Sequence, residues 1–216
     1  MSRLMDIELE RLRKDTFKMG ELAKKSVKES IHALKNKDEK LASKVIEGAS
    51  VVDMLEFDIE NKAVDLILLQ QPMAKDLRII VTILKIITDL DRINDLAKDI
   101  AVITLHIGKE AFVKPLIDIP RMSEIAQEMI TDCLIALSQE KIDSLKDFSE
   151  RDDLVDALTD QVRRELITIM IENPRSIAQS NRLLFVALHL ERIADHACNI
   201  GSRIFYMVTG NKIKFE

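Results

Sequence analysis

The chain has 216 residues, 47% hydrophobic and 32% charged, with only five Gly and four Pro, a composition that suits long helices rather than sheets. A net charge of −5 leaves no basic excess for nucleic acid, and apolar runs without a charge, such as 79 to 84, fall far short of the roughly 20 residues needed to cross a bilayer. The N-terminus lacks the apolar stretch of a signal peptide, and Cys133 and Cys198 stand alone without a CxxC pair, which excludes a disulfide framework or zinc ribbon and suits a reducing cytoplasm.

From 4 to 34, Ile7, Phe17, Leu22, Val27, Ile31 and Leu34 recur at helical spacing with polar residues between them, which predicts a first helix. NKDEK at 36 to 40 interrupts it. A second helix is expected over 38 to 71 and ends at Pro72, because the residue before a proline is pushed out of the helical region. A third is expected over 74 to 107, closed by Gly108. The segment KEAFVKPLIDIP, with prolines at 115 and 120, reads as a linker. Beyond it the plan repeats, with helices expected over 121 to 139, 142 to 172 and 176 to 208, the fifth stopped by Pro174 as the second is by Pro72. The expected fold class is all-α: six long helices forming two similar three-helix bundles, 1–110 and 111–216.

The two halves echo one another in detail. LDRINDLAKDIA at 90 to 101 returns as LERIADHACNIG at 190 to 201. Asp53, Glu56 and Glu60 reappear as Asp153, Asp156 and Asp160, and Asp91 and Asp95 as Glu191 and Asp195, every offset being one hundred. Asp99 extends its row by one turn and is matched by Asn199. The turn prolines are offset by 102, so the turn has slid while the acids have held their places. A duplicated three-helix unit explains this; two similar hairpins within one continuous bundle is the other reading.

Side chains at i and i+4 stand nearly above one another on a helix, so Glu56/Glu60, Asp91/Asp95, Asp156/Asp160 and Glu191/Asp195 are stacked acid pairs that repel. Glu56 lies sixteen residues before Pro72 and Asp91 nineteen after it, which brings them to one level of an antiparallel hairpin. Glu56 should then face Asp91, Asp53 approach Asp95, and Asp156 face Glu191. Two carboxylate patches result, and such oxygen-rich clusters suit hard or borderline divalent cations. The Glu-x-x-His pairs of di-iron and di-manganese bundles are missing, and His189 and His196 are turned away from the Glu191/Asp195 row. The apolar stripe Ile86, Leu90, Ile93, Ala97 and Ile100, matched by Val186, Leu190, Ile193, Ala197 and Ile200, points away from the acids and places them on the bundle surface. Asp and Glu make up 37 of the 216 residues, so a solvated acidic face on a plain helical scaffold competes with a metal site.

Arg92 and Arg192 are expected to pair with neighbouring carboxylates, and Met5, Met19, Met54, Met73, Met122, Met129 and Met170 to fill the core. No Gly-rich phosphate loop, GxSxG elbow or HExxH occurs, so the expectation is a protein without catalytic activity, the competing enzymatic reading being a carboxylate-bridged metalloenzyme.

DMLEFDIENKAVDLILLQQPMAKDLR at 53 to 78 and KIITDLDRINDLAKDIA at 85 to 101 resemble the first half of the PhoU family, and DDLVDALTDQVRRELITIMIENP at 152 to 174 with LERIADHACNIGSRIFYMVTG at 190 to 210 resemble the second. The resemblance implies a cytoplasmic protein, often a homodimer, with divalent or iron-type metal ions (Fe, Zn, Mg or Mn) held on the bundle surfaces by acid, three residues, Asp. That motif falls on Asp91/Asp95, Asp156/Asp160 and Glu191/Asp195. It falls imperfectly on Glu56/Glu60, and DRIND carries Asp91 and Asn94 where the family has Glu and Gly. The implied role is non-enzymatic: negative regulation of phosphate uptake and phosphate-starvation signalling. The implied partners are the ATPase subunit of the phosphate ABC transporter and, where present, a sensor histidine kinase, with no nucleic acid and no direct membrane insertion.

Overall fold

The computed structural model describes residues 3–215 and, among them, six long helices and no strand. They are α1 (Arg3–Asn36), α2 (Glu39–Gln70), α3 (Ala74–Ile107), α4 (Asp118–Gln139), α5 (Phe148–Glu172) and α6 (Ile177–Thr209), with single 3-10 turns at Asp143–Leu145 and Pro174–Ser176.

Most boundaries have a local cause. Asp38 caps α2, its carboxylate accepting from the Leu41 N–H at 3.0 Å. Gln71 closes α2 in the left-handed region, φ 46°, immediately before Pro72. Gly108 closes α3 with φ 60° and donates its N–H to the Thr104 carbonyl at 3.1 Å, a conformation a side chain would strain. Two starts differ from expectation. α4 begins at Asp118 rather than 121, so Pro120 lies inside its first turn, where the missing N–H has no intrahelical partner to lose. α5 begins at Phe148 rather than 142, because Asp143–Leu145 winds as a 3-10 turn. Pro174 both stops α5 and opens the short turn into α6.

α1, α2 and α3 pack together, as do α4, α5 and α6, and the two groups meet through α3 on α6 and α1 on α4. The stripe from Ile86 to Ile100 and its counterpart from Val186 to Ile200 are fully buried. Each large side chain among them contributes roughly 1.5 to 3 kcal/mol. Core residues of both halves form one contiguous cluster, with a small satellite of Ala33, Ala42, Val45 and Ala101. Met5, Met19, Met122 and Met129 belong to this core, whereas Met54 and Met73 are exposed, contrary to their expected role as filler.

α3 and α6 run antiparallel and are fastened by a polar cluster. Buried Asp89 bonds to His196 Nδ1 at 3.0 Å through one oxygen and pairs with Arg203 at 3.0 Å through the other, and Arg203 also donates to the Lys85 carbonyl. Between His196 and Arg203 on α6, a Cβ on Gly201 would lie 3.0 Å from the Phe148 ring, so glycine there lets the start of α5 close against α6.

Candidate metal centre

The antiparallel α2/α3 and α5/α6 hairpins each bring an acid row from one helix against a row from the next, on the side opposite the apolar stripe. In the first seam Glu56 is half-buried, and burial together with the charges of Asp91 and Glu60 raises its carboxyl above the usual range, against a hydrogen bond from Thr88 and the charge of Arg92. Asp91 is raised by burial, then by Asp95 and Asp53, with Arg92 and Lys98 opposing. Glu56 thus faces Asp91 as the spacing predicts, and Asp53 approaches Asp91 closely enough to perturb it.

The second seam repeats the arrangement. Asp156 is raised by burial and by Asp195, Asp153 and Asp160. Glu191 is raised by burial, then Asp156 and Asp195, with Arg163 opposing. Each seam carries one arginine on its rim: Arg92 lies 3.6 Å from Asp95, and Arg163 pairs with Asp160. The like charges outnumber these partners in both seams, which is the electrostatic condition that favours cation uptake.

The seam ends differ from the middle. Asp99 is exposed and its charge acts on His189 of α6, while Asn199 is exposed on its own helix. His196 is committed to Asp89 across the α3/α6 contact, whereas His189 is half-buried, its Nδ1 has no hydrogen-bond partner, and burial lowers its imidazole. Asn94, standing where the resemblance leads one to expect Gly, is buried and donates to the Ala49 carbonyl at 3.2 Å, tying α3 to α2 beside the first seam.

Asp152 is the residue that spacing did not single out. It is 8% exposed, and burial with the charges of Asp195 and Asp156 pushes its carboxyl up to about 6. Its Oδ1 is buried without a hydrogen-bond partner. The available sequence signal was its own i, i+4 relation to Asp156, hidden because the matching position in the first half is Val52.

Ionised, clustered carboxylates of this kind fit a divalent cation chemically, and the unpartnered Asp152 oxygen is what such an ion would satisfy. Among the described residues no three His, Cys, Asp or Glu side chains stand together closely enough to hold an ion as placed.

The PhoU domain model matches the chain twice, over residues 16–104 and 119–204. The chain belongs to the PhoU family. A PhoU homolog of Aquifex aeolicus, a phosphate-specific transport system accessory protein, is 40% identical over 209 residues, covering 97% of this chain and 95% of that protein. The Clostridium acetobutylicum homolog, of the same description, is 34% identical over 98% of this chain and 97% of its own length. The crystal structure of PhoU from Pseudomonas aeruginosa superposes with a TM-score of 0.91 at 31% identity, covering 95% of this chain and 99% of that one. The phosphate transport system regulatory protein PhoU from Streptococcus pneumoniae gives 0.90 at 25% identity, covering 97% and 99%. Each of the two matched PhoU segments contains one carboxylate seam.

Proposed function

We propose that this chain is a non-enzymatic accessory protein of a phosphate-specific transport system, a cytoplasmic adaptor that restrains phosphate uptake and starvation signalling. It does so by contact with the transporter's ATPase subunit and, where one exists, a sensor histidine kinase. The near full-length likeness to relatives described as accessory proteins of that system carries this reading. Among the described residues no helix is long and apolar enough to cross a membrane, which accords with action through a partner's soluble face. An adaptor also needs surface to bury: Leu68, Leu69 and Met73 at one hairpin tip and Ile171 and Ile177 at the other are exposed, and a partner or a second copy in a homodimer would cover them.

The metal part of the proposal assigns Asp53, Glu56, Glu60, Asp91 and Asp95 to one site and Asp153, Asp156, Asp160, Glu191 and Asp195 to the other. Asp99 and Asn199 lie at the margins. A bound divalent or iron-type ion would supply the positive charge that neutralises the carboxylates, and only then would these residues tie α2 to α3 and α5 to α6. A metalloenzyme has less support, because His196 is held by Asp89 between α3 and α6 rather than in a seam.

Affinity capture of the transporter ATPase by the tagged full chain, from cells grown at high and at low phosphate, tests the adaptor role. The expected result is ATPase retention that changes with phosphate. Absence of ATPase under both conditions overturns it.

A further inference from the structure

α2 turns one apolar face to its neighbours and a second, narrower one to solvent. Ile59, Ala63 and Leu66 are buried, whereas Met54, Phe57, Val64 and Leu68 are 69%, 64%, 42% and 69% exposed. With Asn61 these four recur at intervals of three, four, three and four, the spacing of a seam that takes a second helix. At 1.5 Å of rise per residue the seam is about 21 Å long. The duplicated fold does not require it: at the offset of one hundred stand Leu154, Ala157, Gln161, Arg164 and Thr168, so α5 keeps one large apolar side chain where α2 has four.

Acids rim this seam on both sides. Asp53 and Glu60 flank it on the side of α3, where Asp53 acts on Asp91, and Asp58 and Asp65 flank it on the side of α1; all four are exposed. Lys62, the one cation between 53 and 69, is drawn instead to Asp15 of α1 at 2.6 Å. Like charges set opposite one another repel, so a second α2 and an anionic bilayer both meet this rim unfavourably. A helix whose apolar stripe is flanked by Lys or Arg meets it with opposite charge. Asn61 lies in mid-seam, where a polar residue fixes the register of the helix that pairs with it.

We propose that the outer face of α2 docks one amphipathic helix of a partner protein, with apolar residues at three and four spacing, a polar residue among them opposite Asn61, and Lys or Arg on both flanks. Met54 and Phe57 are the apolar anchors that hold it, and the acidic rim selects its charge. This rests on the adaptor reading above and adds the chemistry of the segment the adaptor holds.

Fluorescence anisotropy with the purified, chelator-treated full chain and three labelled helical peptides tests this. The first peptide has a Leu stripe with a central Asn and Lys/Arg flanks, the second the same stripe with Glu flanks, and the third the Lys/Arg flanks with a Gln stripe. The expected result is that the first binds roughly tenfold or more tightly than either of the others. Phe57→Glu should weaken it roughly tenfold although it adds negative charge, which separates apolar docking from simple attraction between opposite charges. Asp58→Lys with Asp65→Lys, both off the carboxylate seam, should shift the preference to the Glu-flanked peptide, with far-ultraviolet circular dichroism confirming that each variant stays helical. Equal affinity for the Lys/Arg and Glu peptides, binding undiminished by Phe57→Glu, or no binding of any peptide overturns the proposal, and capture of the ATPase then remains the separate test of the adaptor role. A chain that sediments as a dimer, and as a monomer after Phe57→Glu, gives the face to a second copy. Pelleting with phosphatidylserine vesicles that Phe57→Glu abolishes gives it to a membrane, and either result overturns the proposal.

Discussion

Position 152 holds a carboxylate where its repeat counterpart, Val52, is buried hydrocarbon, and the consequence is a pH dependence of the metal-free protein. The Asp152 carboxyl is pushed from 3.8 up to about 6, so the folded state binds a proton more tightly than the unfolded state does. Stability from this group is therefore full below the unfolded value and declines as pH rises through the folded one. Glu56, Asp91, Asp156 and Glu191 are raised in the same direction. Chelator-treated protein should thus show a higher urea midpoint near pH 5 than near pH 7. Asp152→Asn should flatten the difference and stabilise the metal-free protein at pH 7 by roughly 1 to 2 kcal/mol. A midpoint that rises from pH 5 to pH 7 in both proteins contradicts the sign. The repeat could not reveal Asp152, because the offset of one hundred selects what the halves share and this carboxylate is what they do not.

Among the elements, the breakers were legible because each acts locally: Pro72, Gly108 and Pro174 end α2, α3 and α5 where their backbone chemistry requires. Two starts were not. Pro120 reads as linker but is harmless in a first helical turn, and Ile142, Leu145 and Phe148 keep an apolar interval of three that a 3-10 turn satisfies as well as an α-helix. The pairing of Asp89 with His196 was likewise invisible, since it depends on the register at which α3 crosses α6. That contact is testable by a double-mutant cycle. Asp89→Asn leaves His196 and Arg203 without their carboxylate and should cost about 1 to 3 kcal/mol in denaturant unfolding. Added to His196→Ala it should cost less than the sum of the two. Strict additivity contradicts a direct interaction.

At the scale of the whole molecule, the duplication visible in LDRIND and LERIAD places one carboxylate seam on each α-hairpin while the apolar stripes of α3 and α6 merge the halves into one core. The seams lie on the side of each hairpin opposite that core. The most direct test is elemental analysis of the protein after equilibration with iron(II), manganese(II) or zinc(II) and removal of free ions. Beside it stands a variant with Asp91→Asn, Asp95→Asn, Glu191→Gln and Asp195→Asn. The account predicts bound metal in the parent chain and its near-complete loss in a variant that remains helical. Equal metal in both, or none in the parent with any of the three ions, would contradict it.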